Sequence, residues 1–293
     1  MSKTRSNKGR YVSPDQLNNK PSHSDIFSIE KPQKSLDDII LSKSTREQIN
    51  SLLAKIKHHD LLYNTFGLKE IDPSGGRTAI NLYGPPGTGK SATAEAIAHE
   101  LGKDILRANY AEIESKFVGE TPKNIKAIFA KATETDAVLI FDEADSLLSK
   151  RLAQVNQSTD QAVNVTKSVL LLELDNFSGI VIFTTNFGEN YDPAFIRRIL
   201  GHIEFSLPEK EARAVIFKQF LPDKLPVSIN KAESDKIILE TAGFSGGDLL
   251  NVVISASSTA VARDGKDCMV TYDDFSNAIE LIKKAKENIG RSN

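Results

Sequence analysis

The sequence has a single cysteine, Cys268, among its 293 residues. One cysteine cannot form an internal disulfide, and with no histidine or second cysteine near it, Cys268 predicts neither a zinc site nor a nucleophile. Long hydrophobic runs are also missing. The longest, near 138–141 and 169–172, are far shorter than the roughly 20 apolar residues that span a bilayer. The sequence therefore predicts a chain without an internal disulfide and without a membrane-spanning segment.

An excess of one charge is also absent, because 37 basic and 39 acidic residues give a formal net charge of -2. A cationic excess drives strong nonspecific binding to nucleic acid or to anionic membranes, so both are disfavoured as partners. The chain begins Met-Ser-Lys-Thr-Arg-Ser-Asn-Lys with no apolar stretch behind it, which argues against a secretory signal peptide. We therefore expect a cytoplasmic protein.

The pattern along the chain predicts three regions. Residues 1–35 are polar and basic without periodicity, which predicts a flexible N-terminal segment. In residues 36–207, β-rich apolar runs alternate with amphipathic segments, which predicts an α/β domain with a parallel sheet covered by helices on both faces. The predicted strands are 79–83, 104–108, 137–141, 179–184 and 203–205. In residues 208–293 no strand is predicted, and helices near 209–220, 231–242, 246–263 and 272–286 predict a small all-α domain.

The first motif follows the strand at 79–83 and opens the next helix. It reads Gly-Pro-Pro-Gly-Thr-Gly-Lys-Ser and matches the phosphate-binding pattern G-x-x-x-x-G-K-[ST] in the strand–loop–helix context that the pattern requires. Its backbone N–H groups surround a phosphate, Lys90 reaches the β- and γ-phosphates, and the Ser91 hydroxyl is offered to Mg²⁺. The predicted ATP-binding residues here are Gly84, Pro85, Pro86, Gly87, Thr88, Gly89, Lys90, Ser91 and Ala92.

The second motif is an apolar strand that ends in adjacent carboxylates, Asp142 and Glu143. Successive side chains of a strand point in different directions, so one carboxylate can serve a metal while the other orients water. We therefore assign Asp142 to Mg²⁺ and Glu143 to polarising the attacking water.

In this order, the motifs resemble those of the AAA+ P-loop ATPases, and within them the AAA clade, over about residues 36–286. The resemblance implies that Asn186 is the first sensor, which positions the hydrolytic water, and that Asn109 is a polar switch that restrains Glu143. It places Gly247 where the second sensor of this clade has a small residue. The helical region from Pro208 then corresponds to a lid over the adenine.

Two further segments resemble parts of the family that act between subunits of a ring. The stretch from Asp192 to Arg198 is similar to the arginine-finger segment, which implies that Arg197 or Arg198 reaches the γ-phosphate of a neighbouring subunit. It lacks the longer Arg-Pro-Gly-Arg-Phe form, so the choice between the two stays open. The resemblance thus implies a homo-oligomer, as a hexameric ring.

The stretch from Ser115 to Glu120 resembles the pore loop through which such rings hold a polypeptide. Phe117 supplies a broad apolar surface, and Lys116 and Val118 flank it, so these three are the predicted client-binding residues.

The leading interpretation is an ATP-hydrolysing ring that remodels or unfolds a protein client through its pore. Within that class the chain resembles the pachytene-checkpoint type that acts on HORMA-domain proteins, including bacterial versions in antiphage (antiviral) signalling. Microtubule-severing AAA proteins share the paired arginines. The alternatives are a DNA-acting ATPase of the helicase-loader type, an activator that releases inhibitors from an enzyme, and a nucleotide-gated switch. A protease-docking ring is disfavoured because residues 290–293 lack the hydrophobic-tyrosine ending.

Overall fold

The computed structural model describes residues 29–72, 78–109, 121–150, 158–188 and 191–290. The predicted client-binding residues Lys116, Phe117 and Val118 and residues 1–28 lie outside the described residues.

A central sheet carries the described part of the α/β region. Its strands are β1 (Ile29–Glu30), β2 (Ala79–Tyr83), β3 (Ile105–Asn109), β4 (Val138–Asp142), β5 (Val181–Thr185) and β6 (Ile199–Glu204). Their order in space is β1-β3-β4-β5-β2-β6. Strands β2 to β6 are parallel, as predicted, and their carboxyl ends meet at one edge of the sheet.

Strand β1 corrects the sequence prediction in two ways. It pairs antiparallel with β3, with Ile29 opposite Leu106, so the sheet is mixed rather than wholly parallel. It also lies inside the segment predicted to be flexible. A two-residue strand has too few residues to show a periodicity, and its partner is distant in the sequence.

The α-helices of the described residues connect and follow these strands. They are α1 (Lys43–Lys57), α2 (Lys90–Glu100), α3 (Thr121–Thr135), α4 (Asp145–Leu148), α5 (Ser158–Asn176), α6 (Pro193–Ile196), α7 (Lys210–Gln219), α8 (Lys231–Glu240), α9 (Gly246–Asp264) and α10 (Tyr272–Gly290). No helix in the described ranges combines the length and apolarity needed to cross a bilayer.

Strand β4 shows why the sheet has two apolar faces. Leu139 and Phe141 pack into a cluster on one face, while Val138 and Ile140 pack into a second cluster on the other. Helix α2 covers the second face and α3 covers the first, so the first four positions of the strand, 138–141, are buried. This explains the continuous apolar run in the sequence.

The C-terminal helices α7 to α10 enclose a third cluster, which includes Phe217 and Phe275. Two of these helices begin with capping contacts: the Asp248 backbone N–H donates to Ser245 Oγ at 3.2 Å, and the Thr271 backbone N–H donates to Asp274 Oδ2 at 2.9 Å. The prediction of no strand after Pro208 is wrong, because β7 (Val227–Ser228) pairs in parallel with β8 (Val270–Thr271). The domain boundaries at 35/36 and 207/208 stay predictions.

Candidate functional site

A cleft of about 1370 Å³ lies between the carboxyl ends of the strands and the C-terminal helices. Four separate segments line it after the strands and at the start of α9. They contribute Pro86, Gly87, Thr88, Gly89, Lys90, Ser91 and Ala92 after β2, Glu143 after β4, Asn186 after β5, and Gly247 in α9. Asp38, Ile39 and Ile40 form part of the wall. The structure thus brings most of the predicted nucleotide-binding residues into one cleft.

The loop from Gly84 to Gly89 is tightly packed, and two of its glycines are required by that packing. A Cβ at Gly84 would lie 2.1 Å from the backbone oxygen of Phe205. Gly87 has φ +74°, and a Cβ there would lie 2.6 Å from Ser245 Oγ. The Gly247 N–H also donates to the Gly87 oxygen at 3.0 Å, so helix α9 rests directly on the loop. Larger residues would displace either the loop or the helix.

Lys90 is buried at the start of α2, and its ammonium has three acceptors. It donates to the Gly84 oxygen at 2.7 Å, to the Pro85 oxygen at 2.8 Å and to Asn186 Oδ1 at 2.9 Å. Burial lowers the pKa of Lys90, and the Asp145 carboxylate opposes that shift. The ammonium therefore joins the predicted phosphate-binding loop to the predicted first sensor.

The side chain of Asp142 is held from both sides. Its Oδ1 accepts from the Thr184 hydroxyl at 2.8 Å, and its Oδ2 accepts from Arg107 Nη1 at 2.5 Å. Ser91 is exposed in the first turn of α2. A hydroxyl and a carboxylate suit Mg²⁺, which takes few protein ligands and completes its shell with substrate phosphates and water. The described ranges contain no group of three or more His, Cys, Asp or Glu side chains placed to hold a metal ion.

Glu143 is one of two non-glycine residues in the described part of the chain with positive φ, at 54°. It follows the last residue of β4, so this left-handed turn, rather than the alternation of the strand, separates its carboxylate from that of Asp142. Glu143 is exposed and lines the cleft. Backbone strain of this kind is concentrated at functional sites.

Asp145 has a role that the sequence did not reveal. Its Oδ1 accepts hydrogen bonds from the backbone N–H groups of Asn186 at 3.0 Å and Phe187 at 3.4 Å. It therefore fixes the loop that carries the predicted sensor. Asp145 is the third carboxylate of the sequence Asp-Glu-Ala-Asp, which was the only local sign of a role. Its partner Asn186 lies 41 residues away, so the sequence does not show the contact.

The predicted finger residues do not line this cleft. Asp192 caps α6 by accepting from the Ala194 N–H at 2.8 Å. Arg198 binds both carboxylate oxygens of Asp175, each at 2.7 Å. Arg197 is exposed at the end of the same helix.

A polar cluster around the buried Asn81, beside the loop of Asn186, was also missed. The Asn81 amide nitrogen donates to the Tyr191 hydroxyl at 3.2 Å and contacts His202 Nδ1 at 3.3 Å. The Tyr191 hydroxyl donates to the Phe187 oxygen, and its ring stacks on His202. Burial lowers the pKa of His202, while a hydrogen bond with the Ile196 backbone opposes the shift. These residues come from three distant parts of the sequence.

Comparison with protein families gives a match at the core of this arrangement. The model of the ATPase family associated with various cellular activities (AAA) matches residues 80–207. This range contains the loop at 84–91, the carboxylates after β4, the sensor loop and the segment of Arg197 and Arg198.

Curated relatives match most of the chain. A proteasome-activating nucleotidase of Methanopyrus kandleri is 33% identical over 268 residues, which are 88% of this chain and 58% of the relative. That of Aeropyrum pernix is 34% identical over 89% of this chain and 63% of the relative. An ATP-dependent zinc metalloprotease FtsH of Mycoplasma genitalium is 34% identical over 88% of this chain and 37% of the relative. The chain thus spans about 58% to 63% of the two nucleotidases.

Solved structures show the same fold. The crystal structure of a FIGL-1 AAA domain aligns with a TM-score of 0.73 at 22% identity and covers 92% of each chain. The structure of that domain in complex with ADP aligns with a TM-score of 0.72 at 23% identity.

Proposed function

We propose that this chain, whose residues 80–207 belong to the AAA family of ATPases, hydrolyses ATP to ADP and phosphate and uses the reaction to remodel a protein client. The observation that carries the proposal is the shared cleft. Lys90, Glu143 and Asn186 line it together with Gly247 of α9. A phosphate-binding loop, a carboxylate base and a polar sensor are the groups that phosphoryl transfer to water requires.

The loop at 84–91 binds the phosphates in this proposal. Its backbone N–H groups and the start of α2 favour negative charge, and Lys90 exchanges its carbonyl acceptors for phosphate oxygens. Ser91 and Asp142 would hold Mg²⁺, which would neutralise charge on the phosphates. The adenine lies against the wall formed by residues 38–40 and the C-terminal helices.

Glu143 acts as the general base. Its carboxylate accepts a proton from the attacking water as the water oxygen bonds to the γ-phosphorus and the bond to the β–γ bridging oxygen breaks. Asn186 orients that water. Its backbone is held by Asp145 and its side chain contacts Lys90, so the sensor has a defined position relative to the phosphate-binding loop.

The active site is completed by a second copy of the chain. Arg197 and Arg198 lie outside their own cleft, which supports a role at the γ-phosphate of a neighbouring subunit in a homo-oligomer, as a hexameric ring. A guanidinium suits this role because its planar fork binds phosphoryl charge in two places.

The client is a polypeptide held by Phe117 with Lys116 and Val118. The names of the relatives support a protein as the substrate of remodelling, since they include proteasome-activating nucleotidases and a metalloprotease. A HORMA-domain client and a part in antiviral signalling stay narrower predictions from the sequence. The near-neutral charge weighs against the DNA-acting alternative, and the inhibitor-releasing activator differs only in its client.

The ATPase assignment is tested by comparing nucleotide affinity and turnover in two variants. Glu143→Gln should bind ATP normally and hydrolyse it at least about 100-fold more slowly, because the base is lost. Lys90→Ala should weaken ATP binding itself. Glu134→Gln, which removes an exposed carboxylate on α3, is the matched control and should hydrolyse ATP normally. Near-normal turnover by Glu143→Gln contradicts the assignment.

The remodelling assignment is tested with a fluorescent protein that carries an unstructured peptide tail. Phe117→Ala should keep basal ATPase within a few fold and lose unfolding of this probe, because the groups that bind phosphate are untouched. Thermal melting on the same preparation separates this result from a loss of folding. If Phe117→Ala melts normally and still unfolds the fluorescent probe, Phe117 does not hold the polypeptide. Capture of bound proteins on the Glu143→Gln variant then identifies the natural client.

A further inference from the structure

We propose that Arg107 is a positioning residue that sets how strongly Asp142 holds Mg²⁺, and that Glu30 of β1 modulates it by sharing the guanidinium. The inference rests on the proposed function, because it concerns the carboxylate assigned there to the metal. It assigns control of Mg²⁺ affinity to two residues, Arg107 and Glu30, that belong to neither the phosphate-binding loop nor the sensors.

The guanidinium of Arg107 on β3 lies between the carboxylates of Glu30 on β1 and Asp142 on β4, the two strands that flank β3. Arg107 Nη1 lies 2.5 Å from Asp142 Oδ2, and Arg107 Nε lies 3.5 Å from Glu30 Oε2. The side chains of Asp142, Arg107 and Glu30 are 18%, 29% and 47% exposed, so the pair nearer the cleft is the better shielded from water. With the Thr184 hydroxyl on Asp142 Oδ1, a row of four polar groups runs from the edge strand to the site.

The charge on this row is permanent. A guanidinium group remains protonated throughout the physiological pH range. Arg107 therefore occupies one carboxylate oxygen of Asp142 and offsets its negative charge at every physiological pH. Both effects reduce the attraction of Asp142 for a divalent cation.

Glu30 increases the attraction of Asp142 for a divalent cation, because its carboxylate also interacts with Arg107 and so weakens the interaction between Arg107 and Asp142. Its position depends on the pairing of β1, the antiparallel edge strand, with β3. A partner or rearrangement that detaches β1 would remove Glu30 and tighten the hold of Arg107 on Asp142. The edge strand is thus connected to the metal-binding carboxylate through a single side chain.

The experiment measures the affinity of the full chain for a fluorescent ADP analogue as a function of Mg²⁺ concentration. We expect Arg107→Gln to lower the half-saturating Mg²⁺ concentration by roughly three- to tenfold, because a charge next to the ligand is removed. Glu30→Gln should raise it by a smaller factor. Arg107→Lys, which keeps the charge, should stay near the wild-type value.

Lys103→Gln is the matched control, because Lys103 pairs with Asp136 at the opposite end of the same two strands. It removes the same charge and should leave the Mg²⁺ dependence unchanged. A shift as large as that of Arg107→Gln would overturn the inference, since any nearby charge would then suffice. Two further measurements exclude a general structural effect. The affinity of each variant for the ADP analogue in excess EDTA should stay within about twofold of wild type, and its melting temperature should stay within a few degrees of wild type.

Failure of the inference differs from failure of the proposed function. If the wild-type chain binds no adenine nucleotide at any Mg²⁺ concentration, the proposed function fails. If it binds and the half-saturating concentration is the same in wild type, Arg107→Gln and Glu30→Gln, only the inference fails. The opposite shifts expected for Arg107→Gln and Glu30→Gln keep the test decisive even if one variant folds poorly.

Discussion

The guanidinium of Arg198 donates hydrogen bonds to both carboxylate oxygens of Asp175, with each nitrogen–oxygen distance at 2.7 Å. The same side chain donates to the Ala194 oxygen at 2.9 Å. Arg198 therefore ties the segment after β5 to helix α5. Arg197 is the more exposed of the two arginines, and on that ground we propose it as the one that reaches another subunit.

We predict that Arg197→Ala lowers the ATP turnover of the assembled protein by about 10³-fold or more, the usual contribution of an arginine finger, with nucleotide affinity little changed. Arg198→Ala should mainly reduce the free energy of unfolding, by about 0.5–1 kcal/mol, because it breaks a partly exposed ion pair. Asp175→Asn is its matched control and should lose similar stability. Turnover that collapses in Arg198→Ala but not in Arg197→Ala would reverse the assignment.

Gly87→Ala should weaken nucleotide binding by about tenfold or more, because its Cβ would collide with Ser245 and push α9 from the loop. Gly102→Ala is the matched control. Gly102 also has positive φ, at +65°, but a Cβ there would meet nothing within 4 Å. Both variants should lose about 1 kcal/mol of folding stability from backbone strain. Equal nucleotide affinities in the two variants would show that contact with α9 is unimportant.

Glu143→Gly should raise the free energy of unfolding by about 0.5–1 kcal/mol, because glycine relieves the left-handed strain at a modest entropic cost, and hydrolysis should be lost. The other strained residue, Asp136 with φ 52°, offers the comparison. Asp136→Gly should gain less stability, because aspartate tolerates this conformation better, and it should keep its activity. Chemical denaturation and ATP turnover measure both effects. A destabilised Glu143→Gly would mean that the turn is not strained.

His202 should make folding stability depend on pH below neutrality. Burial sets its folded pKa below the ordinary value of 6.5, so between the two values the unfolded chain binds more protons. The free energy of unfolding should therefore fall as the pH is lowered from about 7 towards the folded pKa. His202→Gln should remove this part of the dependence, as measured by denaturation at several pH values. If the pH dependence of the free energy of unfolding were the same in His202→Gln as in wild type, groups other than His202 would be responsible for it.

The sequence was sufficient to predict the strands and loops that line much of the cleft. The strand at 79–83 was predicted with its observed limits, and Asp142 and Glu143 follow an apolar strand as expected. The α/β class, with helices on both faces, is confirmed by the structure and by the FIGL-1 fold. These features depend on continuous apolar runs and on local motifs, both of which a sequence displays directly.

The features that were missed depend on contacts between distant residues. Strand β6 begins at Ile199, but Gly201 and His202 interrupt its apolar pattern, so only 203–205 was predicted. Asp145 and Arg107 owe their roles to partners 41 and 35 residues away. No local periodicity reports such pairs, since each single residue looks like an ordinary surface charge.

The separate hydrophobic core of helices α7 to α10 has a thermodynamic consequence. A unit with its own core can unfold without disrupting the sheet, so its amides should exchange with solvent deuterium through a distinct sub-global opening. The backbone bond from Gly247 to Gly87 and a 3.0 Å bond from Gln219 to the Asp38 oxygen join it to the rest of the chain. Any molecule that fills the cleft touches both units, so its binding would merge their openings into a single cooperative event.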